Sequence, residues 1–166
     1  MLGQALQPGE VAGLHAQART WEAPGLELVS GDPLFGLARG GEEADQGPLP
    51  LGGCAAGLGG LTIMPDGGVM ACRRLPLSLG NVLRDSLRQI WAAAPLLEAL
   101  RDRGRYQGNC GQCPRWAVCR GCRAIALAQS GYPLADDPGC YRGLGQTGEA
   151  RISRLRNTRR TWPEAT

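Results

Sequence analysis

The sequence has no long apolar run. None of its windows approaches the roughly 18 consecutive apolar residues of a membrane-spanning helix, and its first residues, MLGQALQPGE, lack the charged and then apolar layout of a signal peptide. We therefore predict a cytoplasmic protein without a membrane partner. In a reducing compartment, cysteines are first considered as metal or redox ligands rather than as disulfides, so the cysteines are the first candidates for chemistry.

Histidine and lysine are almost absent. His15 is the only histidine, and all 18 basic residues are arginine. A histidine-based catalytic triad is therefore excluded, we predict no catalytic residue, and we expect His15 to lie at the surface. The net charge of +3 is mild, and the basic cluster at residues 151–160 is typical of a solvated tail. We expect no nucleic-acid partner.

Aromatic residues are also scarce, at 5% of the chain, whereas the sequence contains 26 glycines and 12 prolines. Such a composition favours few long regular elements and many loops. The length of 166 residues allows one domain with a modest core, or a small domain with an appendage. We expect something other than a large apolar core to help fix the loops.

The N-terminal part predicts a helix followed by a strand. Apolar residues at helical spacing run from Val11 to Trp21 behind Pro8, and the short apolar segment at residues 26–30 is bounded by glycines. A lone helix and strand cannot bury both of their faces, so we interpret them as a piece of a larger αβ architecture. The polar, acidic and Gly/Pro-rich stretch that follows predicts a linker at residues 41–53.

Beyond the linker, the pattern predicts a hairpin and then short helices. Two apolar runs flank the turn sequence PDGG at residues 65–68, where glycine tolerates a positive φ, and Cys72 ends the second run. Apolar residues then recur every three or four positions over residues 83–100, and Pro95 either starts a second helix or kinks a continuous one. A last short helix is predicted between Cys122 and a glycine at residue 131.

Seven cysteines carry the strongest chemical signal. Four of them fall within the run CGQCPRWAVCRGC, namely Cys110, Cys113, Cys119 and Cys122. Two-residue gaps let both thiolates of a pair reach one metal centre from a tight turn. From spacing alone, two interpretations stay open: a four-cysteine zinc knuckle formed by this run, as part of a structural interaction module without redox activity, or iron-sulfur sites that also use distant cysteines. The three distant cysteines are Cys54, Cys72 and Cys140.

The complete cysteine pattern resembles that of a known domain. The order Cys54-x12-Gly67-x4-Cys72, a gap, Cys110-x2-Cys113-x5-Cys119-x2-Cys122, a gap and Cys140 resembles the seven-cysteine motif of the SPASM domain. That domain is the auxiliary cluster module at the C-terminus of many radical S-adenosylmethionine (SAM) enzymes. The segments IMPDGGVMAC, LGNVLRDSLRQIW, CRGCRAIA and DDPGC also resemble family segments. The likeness covers residues 54–141 and implies a small loop-rich α+β fold. Within the family, the sequence resembles the branch that matures peptides or makes haem and quinone cofactors.

The resemblance implies two [4Fe-4S] clusters with interleaved ligands. Cys54, Cys72 and Cys122 would hold the first cluster. Cys110, Cys113, Cys119 and Cys140 would hold the second. The first cluster would keep an open iron, or take a fourth ligand from water, a carboxylate or a substrate. The gap before Cys122 is two residues here and three in many members, and this departure bears on the assignment of Cys122.

The same resemblance draws attention to a missing motif. The family cleaves SAM at a Cys-x3-Cys-x2-Cys loop in its main barrel, and this sequence contains no such triplet. Residues 1–40 resemble the end of that barrel through ELVSGDPLF, and residues 142–166 form a basic tail. We therefore expect a chain that is not catalytic alone. It would serve electron transfer or substrate binding beside a radical SAM catalytic chain, which would bind SAM, and it would act on a peptide or a tetrapyrrole-like substrate.

Three kinds of side chain near the cysteines have simpler expected roles. Asp136 and Asp137 are expected to shape a loop rather than to support the cluster ligands or contact a substrate, and Trp116 is expected to shield a cluster from solvent. Arg120 and Arg123, which flank Cys122, are expected to stabilise the negative charge of a thiolate-ligated cluster.

Overall fold

The computed structural model describes residues 6–21, 24–25, 27–28, 30–38, 53–142 and 162. Within them the chain forms one three-stranded antiparallel sheet and six short α-helices. The strands, paired in the order β1-β2-β3, are β1 (Thr62–Ile63), β2 (Gly68–Cys72) and β3 (Leu75–Asn81). The helices are α1 (Pro8–Ala18), α2 (Phe35–Ala38), α3 (Leu87–Ala93), α4 (Pro95–Arg101), α5 (Gly108–Gln112) and α6 (Arg123–Ser130). These elements confirm a small α+β fold.

The predicted hairpin is confirmed as β1 and β2. Its turn is closed by Asp66, whose carboxylate accepts a hydrogen bond from the backbone N–H of Gly68 at 2.9 Å. Gly67 has a φ of +81°, and a Cβ added there would meet the side chains of Asn81 and Leu83. Glycine is therefore required at this position both by the backbone angle and by the lack of room.

The third strand was not predicted. Cys72 pairs with Leu75, so only Arg73 and Arg74 connect β2 to β3. In β3 the side chain of Leu75 is buried and those of Leu77 and Leu79 are half-buried, with polar or exposed residues between them. This alternation with a period of two was the signal that could have found the strand.

Pro95 starts a second helix rather than kinking one long helix. Helix α3 ends at Ala93 and α4 begins at Pro95, while Ala94 between them has the extended ψ of 123°. The residue before a proline avoids helical angles because its backbone clashes with the proline ring. The predicted start of the first helix was also too early, because Leu83 lies in the turn before α3 and its side chain is 77% exposed.

Helix α4 contributes more buried residues to the core cluster than any other helix or strand. Leu97, Ala99 and Leu100 are fully buried and belong to one cluster with Val69 and Leu75 of the sheet. The carbonyl oxygen of Leu100 also accepts a hydrogen bond from the hydroxyl of the buried Tyr106, at 2.9 Å. The sheet and α4 thus form a small platform from which the cysteine-bearing loops project.

The N-terminal helix is confirmed, but the predicted strand is not. Glu27, Leu28 and Ser30 belong to no strand, and residues 26 and 29 lie outside the described part of the chain. Among the described residues, the first strand of the structure begins at Thr62. The proposed origin of residues 1–40 as a barrel fragment therefore stays a prediction.

The expectation for His15 is wrong, because its side chain is buried, with 6% exposure. Its Nε2 lies 3.4 Å from a carboxylate oxygen of Asp32, and its Nδ1 lies 3.4 Å from the hydroxyl oxygen of Tyr141. The ring also packs edge-on against Phe35. The histidine joins α1 to a segment 126 residues away, a pairing that its local sequence does not reveal.

No helix among the described residues is long and apolar enough to cross a membrane. The predicted linker at residues 41–53 lies outside the described part except for Gly53, and so does the predicted basic tail except for Arg142 and Trp162. Trp162 packs against Tyr132, with 6.1 Å between the ring centroids.

Candidate metal centre

Three of the seven cysteines line one cavity. It has a volume of about 410 Å³, and its cysteines are Cys54, Cys72 and Cys122, which we call the first thiol group. Cys72 ends β2 and Cys122 directly precedes α6. Segments that are far apart in sequence thus bring these three thiols to one space.

The other four cysteines form a second thiol group, consisting of Cys110, Cys113, Cys119 and Cys140. Burial raises the pKa of the Cys119 thiol to about 12, and the nearby Cys140 and Cys110 thiols add to the rise. Burial also raises the pKa of Cys140, which Cys113 raises further. These mutual effects mean that the four thiols lie near one another.

Cys122 approaches the first group although it follows Cys119 by only three positions. Burial raises the pKa of its thiol, Arg74 lowers it and Cys54 raises it. The chain turns sharply between the two cysteines, because Arg120 and Gly121 have φ values of 61° and 60°. Two consecutive left-handed residues redirect the chain within a two-residue gap, so the short spacing is compatible with Cys119 and Cys122 facing different groups.

Arg120 holds this turn and joins it to the start of the domain. Its guanidinium donates to the carbonyl oxygen of Cys54 from Nε at 3.1 Å and from Nη2 at 2.9 Å, and it also donates to the carbonyl of Ala117. The backbone N–H of Cys54 donates to the carbonyl oxygen of Cys119 at 3.0 Å. A left-handed conformation costs a non-glycine residue about 1–2 kcal/mol, and these bonds offset that cost.

Arg123 lies between the two thiol groups. It follows Cys122 in the chain and lines the cavity of the first group, yet its Nη2 lies 3.7 Å from the sulfur of Cys110 in the second group. Its Nη1 donates to the carbonyl oxygens of Pro133 and Ala135 at 3.1 and 2.8 Å. The side chain is only 1% exposed. A fixed positive charge is therefore available to both groups.

Asp136 and Asp137 do more than shape a loop. A carboxylate oxygen of Asp136 accepts from the backbone N–H of Cys110 at 2.8 Å. Asp137, which is 3% exposed, accepts from the N–H of Cys122 at 2.6 Å and from the N–H of Gly139 at 2.8 Å. The side chain of Asp136 thus fixes the backbone at one cysteine of the second group, and that of Asp137 fixes the backbone at one cysteine of the first. Sequence reasoning underestimated this role.

Burial favours the protonated form of four of the thiols. It raises the pKa of Cys110, Cys119, Cys122 and Cys140 above the ordinary thiol value. The thiolate, not the thiol, binds metal. Binding of a positively charged centre must therefore displace protons from these sulfurs, and the adjacent arginines favour that exchange because they stabilise negative charge.

The residues present fit an iron-sulfur cluster. The donors are all soft sulfurs, which is the ligand type that such clusters use. The indole N–H of Trp116 is buried without a hydrogen-bond partner among the described residues, and it lies in the loop between Cys113 and Cys119. A buried indole N–H usually finds an acceptor, which a sulfur-rich group would supply here.

Within the described residues, no three His, Cys, Asp or Glu side chains are arranged to hold a single metal ion. A structural zinc ion needs its ligand sulfurs at about 2.3 Å from one point. The described geometry therefore gives no support to the alternative of a zinc knuckle formed by Cys110, Cys113, Cys119 and Cys122.

Comparison with known proteins identifies this part of the chain. Residues 54–123 match the SPASM family, which is described as an iron-sulfur cluster-binding domain. This match covers fewer than half of the residues of the chain. The resemblance seen in the cysteine spacing is thereby confirmed, and the SPASM domain contains six of the seven cysteines, all except Cys140.

Similar proteins come from several organisms. The AdoMet-dependent heme synthase of Methanosarcina barkeri is 40% identical over 91 residues, which cover 54% of this chain and 26% of that protein. The pre-heme d1 synthase of Dinoroseobacter shibae is 38% identical over 109 residues, covering 63% of this chain and 27% of that protein. The PqqA peptide cyclase of Ruegeria pomeroyi is 38% identical over 96 residues, covering 54% and 26%. The chain thus matches about a quarter of each of these relatives.

Proposed function

We propose that this chain binds two [4Fe-4S] clusters, one at each thiol group, as the C-terminal part or the partner of a radical SAM enzyme. The first thiol group would hold one cluster with three protein ligands, and the second would hold the other with four. When bound, such clusters supply one-electron transfer. The SPASM domain would then serve electron transfer, substrate binding or both.

The observation that carries the proposal is the separation of the thiols into two groups. Cys54, Cys72 and Cys122 line one cavity, whereas burial raises the pKa values of Cys110, Cys119 and Cys140 and another cysteine of the second group raises each of them further. This division coincides with the interleaved assignment implied by the cysteine motif.

The surrounding residues would keep each group ready for its cluster. Asp136 and Asp137 orient the backbone at Cys110 and Cys122, respectively. Arg123 is held by two carbonyl oxygens with its charge near both groups. Hydrogen bonds and charge near cluster sulfurs tune the reduction potential of a cluster. The positive charge of Arg123 would raise both potentials.

A separate or preceding catalytic part would supply SAM chemistry. This proposal is supported by the names of the relatives, of which AdoMet-dependent heme synthase is one, and by the short share of each relative that the chain matches. The same names support a substrate that is tetrapyrrole-like or a peptide. This chain alone, incubated with SAM and dithionite, is expected to release no 5'-deoxyadenosine.

The test is anaerobic loading of the full chain with iron and sulfide, followed by iron analysis and electron paramagnetic resonance (EPR) spectroscopy of the reduced protein. We expect about eight irons per chain, as two [4Fe-4S] clusters require. Cys113→Ala and Cys122→Ala are each expected to keep about four irons, and to lose different EPR signals.

Cys140→Ala is the matched control for Cys113→Ala, because both residues belong to the second thiol group. It should remove the same signal and leave the other. A colourless protein that holds one or two zinc ions would overturn the proposal, and so would the loss of one common signal in Cys113→Ala and Cys122→Ala.

A further inference from the structure

The loop between β2 and β3 consists of two arginines, Arg73 and Arg74. A two-residue hairpin loop favours Asn-Gly, Asp-Gly or Gly at its positions, because these residues accept the positive φ of the tight turns that match strand twist. Neither arginine has a positive φ. Turn stability therefore does not explain why these two positions are arginines, so we consider what their side chains could bind.

Both arginines line the cavity of the first thiol group. Their side chains are exposed, and neither guanidinium has a hydrogen-bond or ion-pair partner among the described residues. The buried arginines nearby differ: Arg120 and Arg123 already donate to backbone carbonyl oxygens. The loop thus offers two free guanidiniums beside the cysteines.

The rest of the cavity lining contains no acidic residue and no histidine. The described lining therefore offers no carboxylate or imidazole that could act as a fourth ligand beside Cys54, Cys72 and Cys122. Its charged side chains are Arg73, Arg74 and Arg123. An external carboxylate would meet positive charge at this opening, and a guanidinium can hold a carboxylate with two parallel hydrogen bonds.

We infer that Arg73 and Arg74 form a carboxylate-binding clamp at the mouth of the first-group cavity, which holds the acidic side chains of a tetrapyrrole-like substrate next to the first cluster. This inference rests on the proposed function. The tetrapyrrole is chosen over the peptide because haem-type tetrapyrroles present paired carboxylates on one rigid edge, which suits two adjacent guanidiniums.

The probe is mesoporphyrin IX, a porphyrin with two carboxylates, and its dimethyl ester, which has the same ring without the charges. Binding to the anaerobically loaded full chain is measured by fluorescence titration. We expect Arg73→Gln/Arg74→Gln to weaken binding of the diacid about tenfold or more, because charge-assisted hydrogen bonds are lost. The ester should bind the unmodified chain no better than the diacid binds this variant. Arg73→Lys/Arg74→Lys should restore part of the affinity.

Arg84→Gln/Arg88→Gln is the matched control, since it removes two exposed arginines that do not line the cavity. It should leave the affinity unchanged. Iron content is measured in every sample: an unmodified chain without iron contradicts the proposed function, whereas full iron loading with equal porphyrin affinity in the Arg73→Gln/Arg74→Gln variant overturns the clamp alone. The clamp is also overturned if the unmodified chain does not bind the diacid, or if the control loses as much affinity. It is overturned as well if the Arg73→Gln/Arg74→Gln variant shows a shifted reduction potential of the cluster and no loss of porphyrin affinity.

Discussion

The two thiol groups differ in how the chain surrounds them. The first opens onto a cavity of about 410 Å³, and its Cys54 and Cys72 are half-buried. Cys122 of the first group is buried; the second group has two buried cysteines, Cys110 and Cys119, and two half-buried ones, Cys113 and Cys140, and helix α2 contacts the loop between Cys113 and Cys119. A Cβ added to Gly36 would lie 2.6 Å from the carbonyl oxygen of Val118, so the two backbones touch.

This difference suggests a division of labour between the groups. A site on a cavity with exposed arginines in its lining suits the capture of a ligand, whereas a site whose loop packs against α2 suits the storage of an electron. The two are not independent, because Asp137 and Arg123 contact residues of both groups. Substitutions can therefore either break the distinction or sharpen it.

Asp137→Ala is expected to have the largest effect and to damage both groups. It leaves two backbone N–H groups without their acceptor, that of Cys122 in a buried place and that of Gly139 in a half-buried one. Each such loss costs about 1–3 kcal/mol, so we expect the free energy of unfolding to fall by about 4 kcal/mol. Urea denaturation and iron analysis measure the outcome.

Asp66→Ala is the matched control, because its carboxylate also accepts from an N–H two residues ahead, but in an exposed turn. It should cost about 1 kcal/mol or less and leave the iron content unchanged. Equal losses in the two variants would mean that Asp137 has no special role at the cysteines.

Gly121→Ala is expected to damage the first group more than the second. Its φ of +60° strains any residue with a Cβ, and the added Cβ would lie 2.7 Å from that of Asp137. The combined strain is about 3 kcal/mol. Because the residue directly precedes Cys122, EPR should show a weaker first-group signal and a largely retained second one.

Gly131→Ala separates backbone strain from crowding. This glycine ends α6 with a φ of +76°, and nothing lies within 4 Å of an added Cβ. The variant should cost only about 1 kcal/mol and keep both signals. A Gly121→Ala protein that behaves like it would contradict the importance of the tight turn.

Tyr141→Phe is expected to have the smallest effect and to loosen the second group more than the first. The hydroxyl donates to the carbonyl oxygen of Leu34 at 3.0 Å and lies 3.4 Å from His15. Its removal costs about 1 kcal/mol, so an iron chelator should extract second-group iron up to about fivefold faster. In the unmodified chain, first-group iron should leave faster than second-group iron.

Tyr132→Phe controls for the change itself, since its hydroxyl has no hydrogen-bond partner among the described residues and its ring packs on Trp162. It should leave both release rates unchanged. If Tyr141→Phe also leaves them unchanged, the N-terminal segment does not protect the second group.

Much of the domain could be predicted from sequence because its signals are local. The PDGG turn, the proline at residue 95 and the glycine at residue 131 each act on neighbouring residues, and all three appear where they were expected. The SPASM resemblance likewise depended on a local signal, because the spacing of the cysteines can be read directly from the sequence.

The missed features depend on distant partners. The burial of His15 requires Asp32 and Tyr141, and the role of Asp137 requires the N–H of Cys122. Strand β3 was overlooked for a different reason: its alternating leucines adjoin a helical pattern that was extended too far towards the N-terminus. The division of the thiols between two clusters stays a prediction, supported by the geometry of the groups.

The interleaving of the cysteines along the chain has a consequence for biosynthesis. Under the proposed division, the first group is complete only when Cys122 has left the ribosome, and the second only when Cys140 has followed. Cys110, Cys113 and Cys119 emerge after Cys72 and before Cys122. These three thiols are therefore exposed before all the cysteines of either group have been synthesised. Delivery of iron and sulfide would therefore follow translation of the whole domain, and a nascent chain arrested before α6 would offer a carrier protein no finished set of ligands.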